Sequence, residues 1–330
     1  MADARPSGIA AKRDRSSDAV RPSSSPTVGL VLGGGGARGL AHILMLEVFD
    51  ELGIKPKIIA GTSIGAIFGA AYAAGLSGRE IRAATEETLT NRFELLRGLF
   101  SARAPRADKS FTPFGGRSAF LAPTALLDVV LPQRVPQDFE ALEIPLKIVA
   151  SDFYALESVV FSSGPLRPAV AASMSLPVIF EPVLIEGRSL VDGGLTNPLP
   201  FDLIAGEADV LVAIDVSGSP VPSSSRPRPT AIEALFASSF LFERSIVCEK
   251  LKSHRPDIYI DAGTGRYQAL DFLKVRQILA AGRPAQEMLR RELSRVLDVP
   301  IVAQEAPALP PPEPAGRRMR RLLTRIGRSG

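Results

Sequence analysis

Short apolar runs bounded by glycine and proline alternate along this chain with stretches of helical spacing. Thr27 to Leu32 carries no charge and has the length of a buried strand. Leu44, Val48 and Leu52 then recur at four-residue intervals, so roughly Leu40 to Leu52 reads as a helix, with Gly53 as its stop. Lys57 to Ala60 is a second, β-branched strand, followed by a helix of small residues from Ala66 to Ala74. A further helical pattern covers Gly78 to Thr88. Pro145 to Ser151 and Ser158 to Ser162 read as paired strands, and Pro168 to Ser175 as a short helix. A hairpin follows, Pro182 to Glu186 and Ser189 to Val191, turning at Gly187. Ala208 to Val216 is continuously apolar, as in a sheet buried on both faces. Residues 230–253 and 270–298 read as long helices around a short strand, Asp257 to Ile260. This alternation predicts an α/β fold with a mostly parallel sheet. No internal repeat is visible.

The ends of the chain break the pattern. Residues 1–26 are rich in Ser, Pro, Ala and Arg and hold too little apolar surface to offset ordering entropy, so they read as disordered. Residues 27–303 read as one domain. Within it, 77–144 is less regular: Phe93, Leu99, Phe111 and Phe120 are interleaved with Arg92, Arg103 and Lys109. That stretch reads either as a peripheral subdomain or as an apolar, partly basic cover over a site. Residues 304–330 form a proline-rich spacer and a basic tail. In the tail, Met319, Leu322, Leu323 and Ile326 would share one helical face flanked by arginines. Each arginine near an anionic bilayer adds about 1 kcal/mol, so a peripheral membrane contact through 316–330 competes with a solvated tail.

Charge follows the same division. The net charge is +4, yet residues 316–330 contain six arginines and no acid. The high pI is therefore a property of the tails, and the body is acidic, which argues against a nucleic-acid-binding core. A single cysteine, Cys248, excludes an internal disulfide framework, and two histidines give little for a metal site. No metal or cofactor is expected. Residues 1–26 lack the apolar run of a secretory signal, and a cytoplasmic protein is expected. Ile58 to Leu76 is nineteen residues without a charge, near the length that spans a bilayer. Its glycines and its strand-turn-helix pattern make it a buried core segment instead.

That segment carries the chemistry. Gly61-Thr62-Ser63-Ile64-Gly65 is GxSxG, placed between a strand and a helix. A serine on such a turn is pushed outward, and Gly61 and Gly65 relieve the crowding on either side. The helix behind it offers partial positive charge to a developing anion. Ser63 reads as a nucleophile. A second glycine loop, Gly34, Gly35, Gly36, Ala37, Arg38 and Gly39, follows the first strand. It satisfies the dinucleotide pattern GxGxxG, but the second strand does not end in the acid that a ribose requires. Its freed N–H groups also suit an oxyanion. An NAD(P)-binding oxidoreductase and an acyl-transfer enzyme both remain open on these residues. Asp192, with Gly193 and Gly194 behind it, stands at a strand end and reads as a base, or as a residue that caps its own turn. His42, on the first helix, and His254, after a charged helical stretch, are the histidines a triad would have to use.

Together, the glycine loop with Arg38, the GxSxG turn and the Asp-Gly-Gly loop resemble the patatin-like phospholipases, in particular bacterial ones. Gly39-Leu40-Ala41-His42 and Ala172-Ser173-Met174-Ser175-Leu176-Pro177 add to the resemblance. It implies a three-layer α/β/α sandwich and a lipid acyl hydrolase with a Ser/Asp dyad and no catalytic histidine. By position, Ser63 is the nucleophile, Asp192 the general base and residues 34–39 the oxyanion loop. The substrate would be a lipid or phospholipid ester, and no nucleic acid is involved. Gly33 stands where many members carry an acid. A catalytically silent scaffold on the same fold is the alternative, since fold does not fix function.

Overall fold

The computed structural model describes residues 26–91, 121–218 and 231–298. The expectations for the N-terminal segment, most of the aromatic cover, the 217–229 connection, the proline-rich spacer and the basic tail fall largely or wholly outside these residues.

Among the described residues eight strands form one sheet: β1 (Val28–Leu32), β2 (Ile58–Thr62), β3 (Leu146–Asp152), β4 (Glu157–Phe161), β5 (Val183–Ile185), β6 (Arg188–Asp192), β7 (Val210–Asp215) and β8 (Ile258–Asp261). The order is β5-β6-β3-β2-β1-β7-β8, with β4 paired to β3. Strands β3, β2, β1, β7 and β8 run parallel; β4, β5 and β6 add antiparallel pairs.

The apolar runs are continuous because both faces are covered. In β1, Leu30 and Leu32 enter one core and Val31 another. In β7, Val212 and Ile214 face the first, and Leu211 and Ala213 the second. This period of two is the alternation of a pleated strand. The larger core packs under α1 (His42–Glu51), α2 (Ile64–Ala73), α3 (Gly78–Asn91), α4 (Pro123–Val130), α5 (Leu166–Ser173) and part of α7 (Val275–Leu297). The other is closed by Phe201, Ile204 and Val247, the last from α6 (Ala231–Ser253). The result is the expected α/β/α sandwich.

Most elements lie where the hydrophobic pattern puts them. Helix α4 is the exception. Its eight residues fall within the irregular stretch, too short for a convincing period, and Pro123 at its start gives the clearest cue. Gly36–Ala41 forms a 3₁₀ turn, so α1 starts at His42 rather than near Leu40. Among the described residues no helix is long and apolar enough to cross a membrane, and Ile58 to Leu76 is indeed β2, a turn and buried α2.

The register of β3 sets the site. Val149 pairs with Thr62 of β2, and the next residue, Ala150, pairs with Asp192 of β6. Ser63 follows Thr62 directly, so the ends of β2 and β6 converge on one place.

Candidate active site

Ser63 occupies the turn between β2 and α2 with φ 55° and ψ −120°. A non-glycine residue with positive φ costs free energy and persists only where its surroundings fix it. Those surroundings are visible. The Ser63 N–H donates to Ser173 Oγ at 2.9 Å, and Thr62 Oγ1 donates to the Asn197 carbonyl at 2.8 Å. A Cβ on Gly61 would lie 2.6 Å from the Gly65 carbonyl oxygen, so the turn closes only with glycine at that position.

The Ser63 hydroxyl donates to Asp192 Oδ2 at 2.6 Å, with no imidazole between them. The Gly194 N–H donates to Asp192 Oδ1 at 2.7 Å. Asp192 therefore caps its own loop with one oxygen and accepts the serine hydroxyl with the other. It is 5% exposed, and burial pushes its carboxyl up to about 6 against the opposing pull of the Ser63 and Gly194 hydrogen bonds. Its backbone is pinned too. Its N–H donates to the Ser175 carbonyl at 3.0 Å, and Ser151 Oγ donates to its carbonyl at 2.8 Å.

The glycine loop passes beside this pair. The N–H groups of Gly33, Gly34 and Ala37 are spent on the carbonyls of Ile214, Pro198 and Ala269. Those of Gly35 and Gly36 have no acceptor among the described residues, and both glycines line the same cavity as Ser63. Gly36 has φ +59°, which a side chain rarely adopts. Arg38 is buried. Its Nε donates to the Gly35 carbonyl at 3.1 Å, and its guanidinium stacks 4.4 Å from the Phe240 ring centre. Gly39 packs against Ile64, joining the loop to α2.

Neither histidine joins the pair. His42 is fully buried, and its Nε2 donates to the Gly33 carbonyl at 2.9 Å. Burial lowers it to about 4, so it is neutral at pH 7 and serves to hold the loop. His254 is exposed just beyond α6.

Ser63 and Asp192 open onto a cavity of about 350 Å³. Its walls include Leu40, Ile67, Phe68, Leu126, Met174 and Phe180, which could take a flexible apolar chain. Sequence reading missed two residues here. Ser173 lies within a motif already noted, but nothing in the spacing gave it a role. Glu243 is 3% exposed and lines the cavity. Its signal was available: Phe240, Glu243 and Val247 fall on one helical face, an acid set in an apolar stripe. Among the described residues no cluster of His, Cys, Asp or Glu could hold a metal ion.

A strained serine thus sits between a parallel strand and a helix, hydrogen-bonded to a buried carboxylate beside a glycine loop. A family model of patatin-like phospholipases matches residues 30–205, and the chain belongs to that family. It is 40% identical over 201 residues to an uncharacterized NTE family protein of Mycobacterium tuberculosis, covering 61% of this chain and 52% of the relative. It is 35% identical over 215 residues to human patatin-like phospholipase domain-containing protein 6, covering 62% of this chain and 14% of that one. Human GIVD cytosolic phospholipase A2 is a structural neighbour at 15% identity, with a TM-score of 0.42 over 83% of this chain and 60% of that one. The chain thus spans about half the length of its mycobacterial relative.

Proposed function

We propose that this protein is a lipid acyl hydrolase, a carboxylic ester hydrolase of the phospholipase A type, working through a Ser63–Asp192 dyad. The observation that carries the reading is the direct 2.6 Å hydrogen bond from Ser63 Oγ to Asp192 Oδ2 at the mouth of an apolar cavity.

Asp192 takes the Ser63 proton as Oγ attacks the ester carbonyl carbon. The carbonyl electrons move onto oxygen, and that oxyanion is received by the N–H groups of Gly35 and Gly36. One such donor is worth about 2.7–4 kcal/mol. Collapse of the intermediate expels the alcohol, which takes its proton from Asp192 and leaves Ser63 acylated. Water then gives its proton to Asp192 and attacks the acyl carbon; the second intermediate collapses, the bond to Ser63 Oγ breaks, that oxygen takes the proton back from Asp192, and the fatty acid leaves. A carboxylate at its ordinary value is a weak base at neutral pH; burial brings Asp192 closer to the working range. The apolar walls suit the acyl chain, and the chemistry calls for no cofactor.

The hydrolase unit is taken as residues 27–303, acting at a lipid surface with the basic tail as a peripheral contact. The test is fatty-acid release from phospholipid vesicles and hydrolysis of p-nitrophenyl butyrate. Both activities should be present and should vanish in Ser63→Ala. Equal rates in the two proteins would overturn the reading, and no activity in either would overturn it and leave the scaffold alternative.

A further inference from the structure

Glu243 has no part in the mechanism above, yet it lines the cavity that Ser63 and Asp192 open onto. Its Oε1 and Asp192 Oδ1 lie 3.1 and 3.0 Å from one point, the place a Cβ on Gly194 would occupy. Glycine at 194 therefore lets two carboxyl groups, one from the end of β6 and one from α6, close on the same small volume. Both are almost wholly removed from water. Two carboxylates in such a space do not ionise independently.

The charges around Glu243 come from every side. Asp192 and Asp215, the latter at the end of β7, both disfavour its ionisation, while Arg38 from the glycine loop favours it. On its own helix, Arg244 is committed to Asp215 at 2.8 Å. Burial is the largest effect and lifts Glu243 to about 8. Glu243 thus holds its proton more firmly than Asp192, and the first negative charge of the pair falls on Asp192.

We propose that Glu243 is a positioning acid for the base: while protonated it leaves the charge of the site on Asp192 alone, and on ionising it drives the Ser63 proton onto Asp192. A negative charge next to Asp192 favours any step that moves charge from that carboxylate toward the oxyanion. Hydrolysis therefore gains a second rising step at alkaline pH. The inference rests on the Ser63–Asp192 reading.

The test is kcat/KM for p-nitrophenyl butyrate from pH 5 to 9.5, corrected for spontaneous hydrolysis. The wild type should rise near pH 6 and again near pH 8, the second step about three- to tenfold. In Glu243→Gln the ratio of rates at pH 9.5 and pH 7 should fall to about one. A merely structural Glu243 would change the rate at every pH alike and leave that ratio as in the wild type. That result, or a wild-type profile flat above pH 7, overturns the inference. If Glu243→Gln does not fold, Glu243→Asp decides: a displaced upper step supports the role, and one with wild-type midpoint and amplitude refutes it. Ser63→Ala separates the two claims, since loss of all activity there leaves the dyad standing whatever Glu243 does.

Discussion

Gly65, in the first turn of α2, lies directly against the carbonyl oxygen of Leu32 at the end of β1. A Cβ on Gly65 would overlap that oxygen, and backbone on both sides leaves it nowhere to go. Gly65→Ala must push α2 away from the sheet. It should cost about 2–4 kcal/mol of stability and remove most of the esterase activity, since Ser63 caps the same helix. Thermal denaturation and the p-nitrophenyl butyrate rate measure the two losses.

Asp192→Asn keeps the shape of the residue and removes the carboxylate proposed as the base. Activity should fall about 10³- to 10⁴-fold at pH 7.5. In the wild type, kcat/KM should lose about tenfold per pH unit below 6, because only the ionised carboxyl can accept the proton.

Stability should move the opposite way with pH. Burial raises the folded-state values of Asp192 and Glu243, so each favours folding below its unfolded value and loses that contribution as pH rises through about 6 and about 8. Asp192→Asn is freed from the first of these losses. Its melting temperature relative to wild type should rise between pH 4 and 7, and a pH-independent difference would contradict the buried-charge account.

His42→Gln tests whether an imidazole takes part. The substitution disturbs the bond to the Gly33 carbonyl and should destabilise the protein by about 1–3 kcal/mol. The acid limb of the rate profile should stay near pH 6, set by Asp192. His254→Ala should leave both rate and profile unchanged. A displaced acid limb in His42→Gln would give that residue a role in proton transfer.

Ser173→Ala removes the hydroxyl that receives the strained Ser63 N–H. Without it the turn is held less firmly, and kcat should fall about tenfold or more with KM little changed. The ratio kcat/KM, measured alongside the melting temperature, separates loss of geometry from loss of folded protein.

The strands were legible because β1, β2 and β7 are covered on both faces and must be apolar throughout. The glycine loop, Ser63 and Asp192 were legible because each sits on a turn that tolerates few residue types. Helix α4 was hidden by its brevity. Ser173 was hidden for another reason: it holds a residue 110 positions away, and only the folded sheet brings the two together. Glu243 left a trace, as an acid in an apolar helical stripe, but the carboxyl group it approaches belongs to another element. The double duty of Asp192, turn cap and hydrogen-bond acceptor, likewise depends on which of its oxygens faces which neighbour.

Strand β3 works as a ruler for this chemistry, with adjacent rungs at Val149 and Ala150 fixing where the chain ends of β2 and β6 arrive. Extra residues in the turn after Asp152 would leave the measurement unchanged. A slip of one position between β3 and β6 would carry the carboxylate to the opposite side of the sheet, with every amino acid still present. Grafts and loop exchanges in this scaffold are therefore limited by counting along one strand, more than by the identity of what is inserted elsewhere.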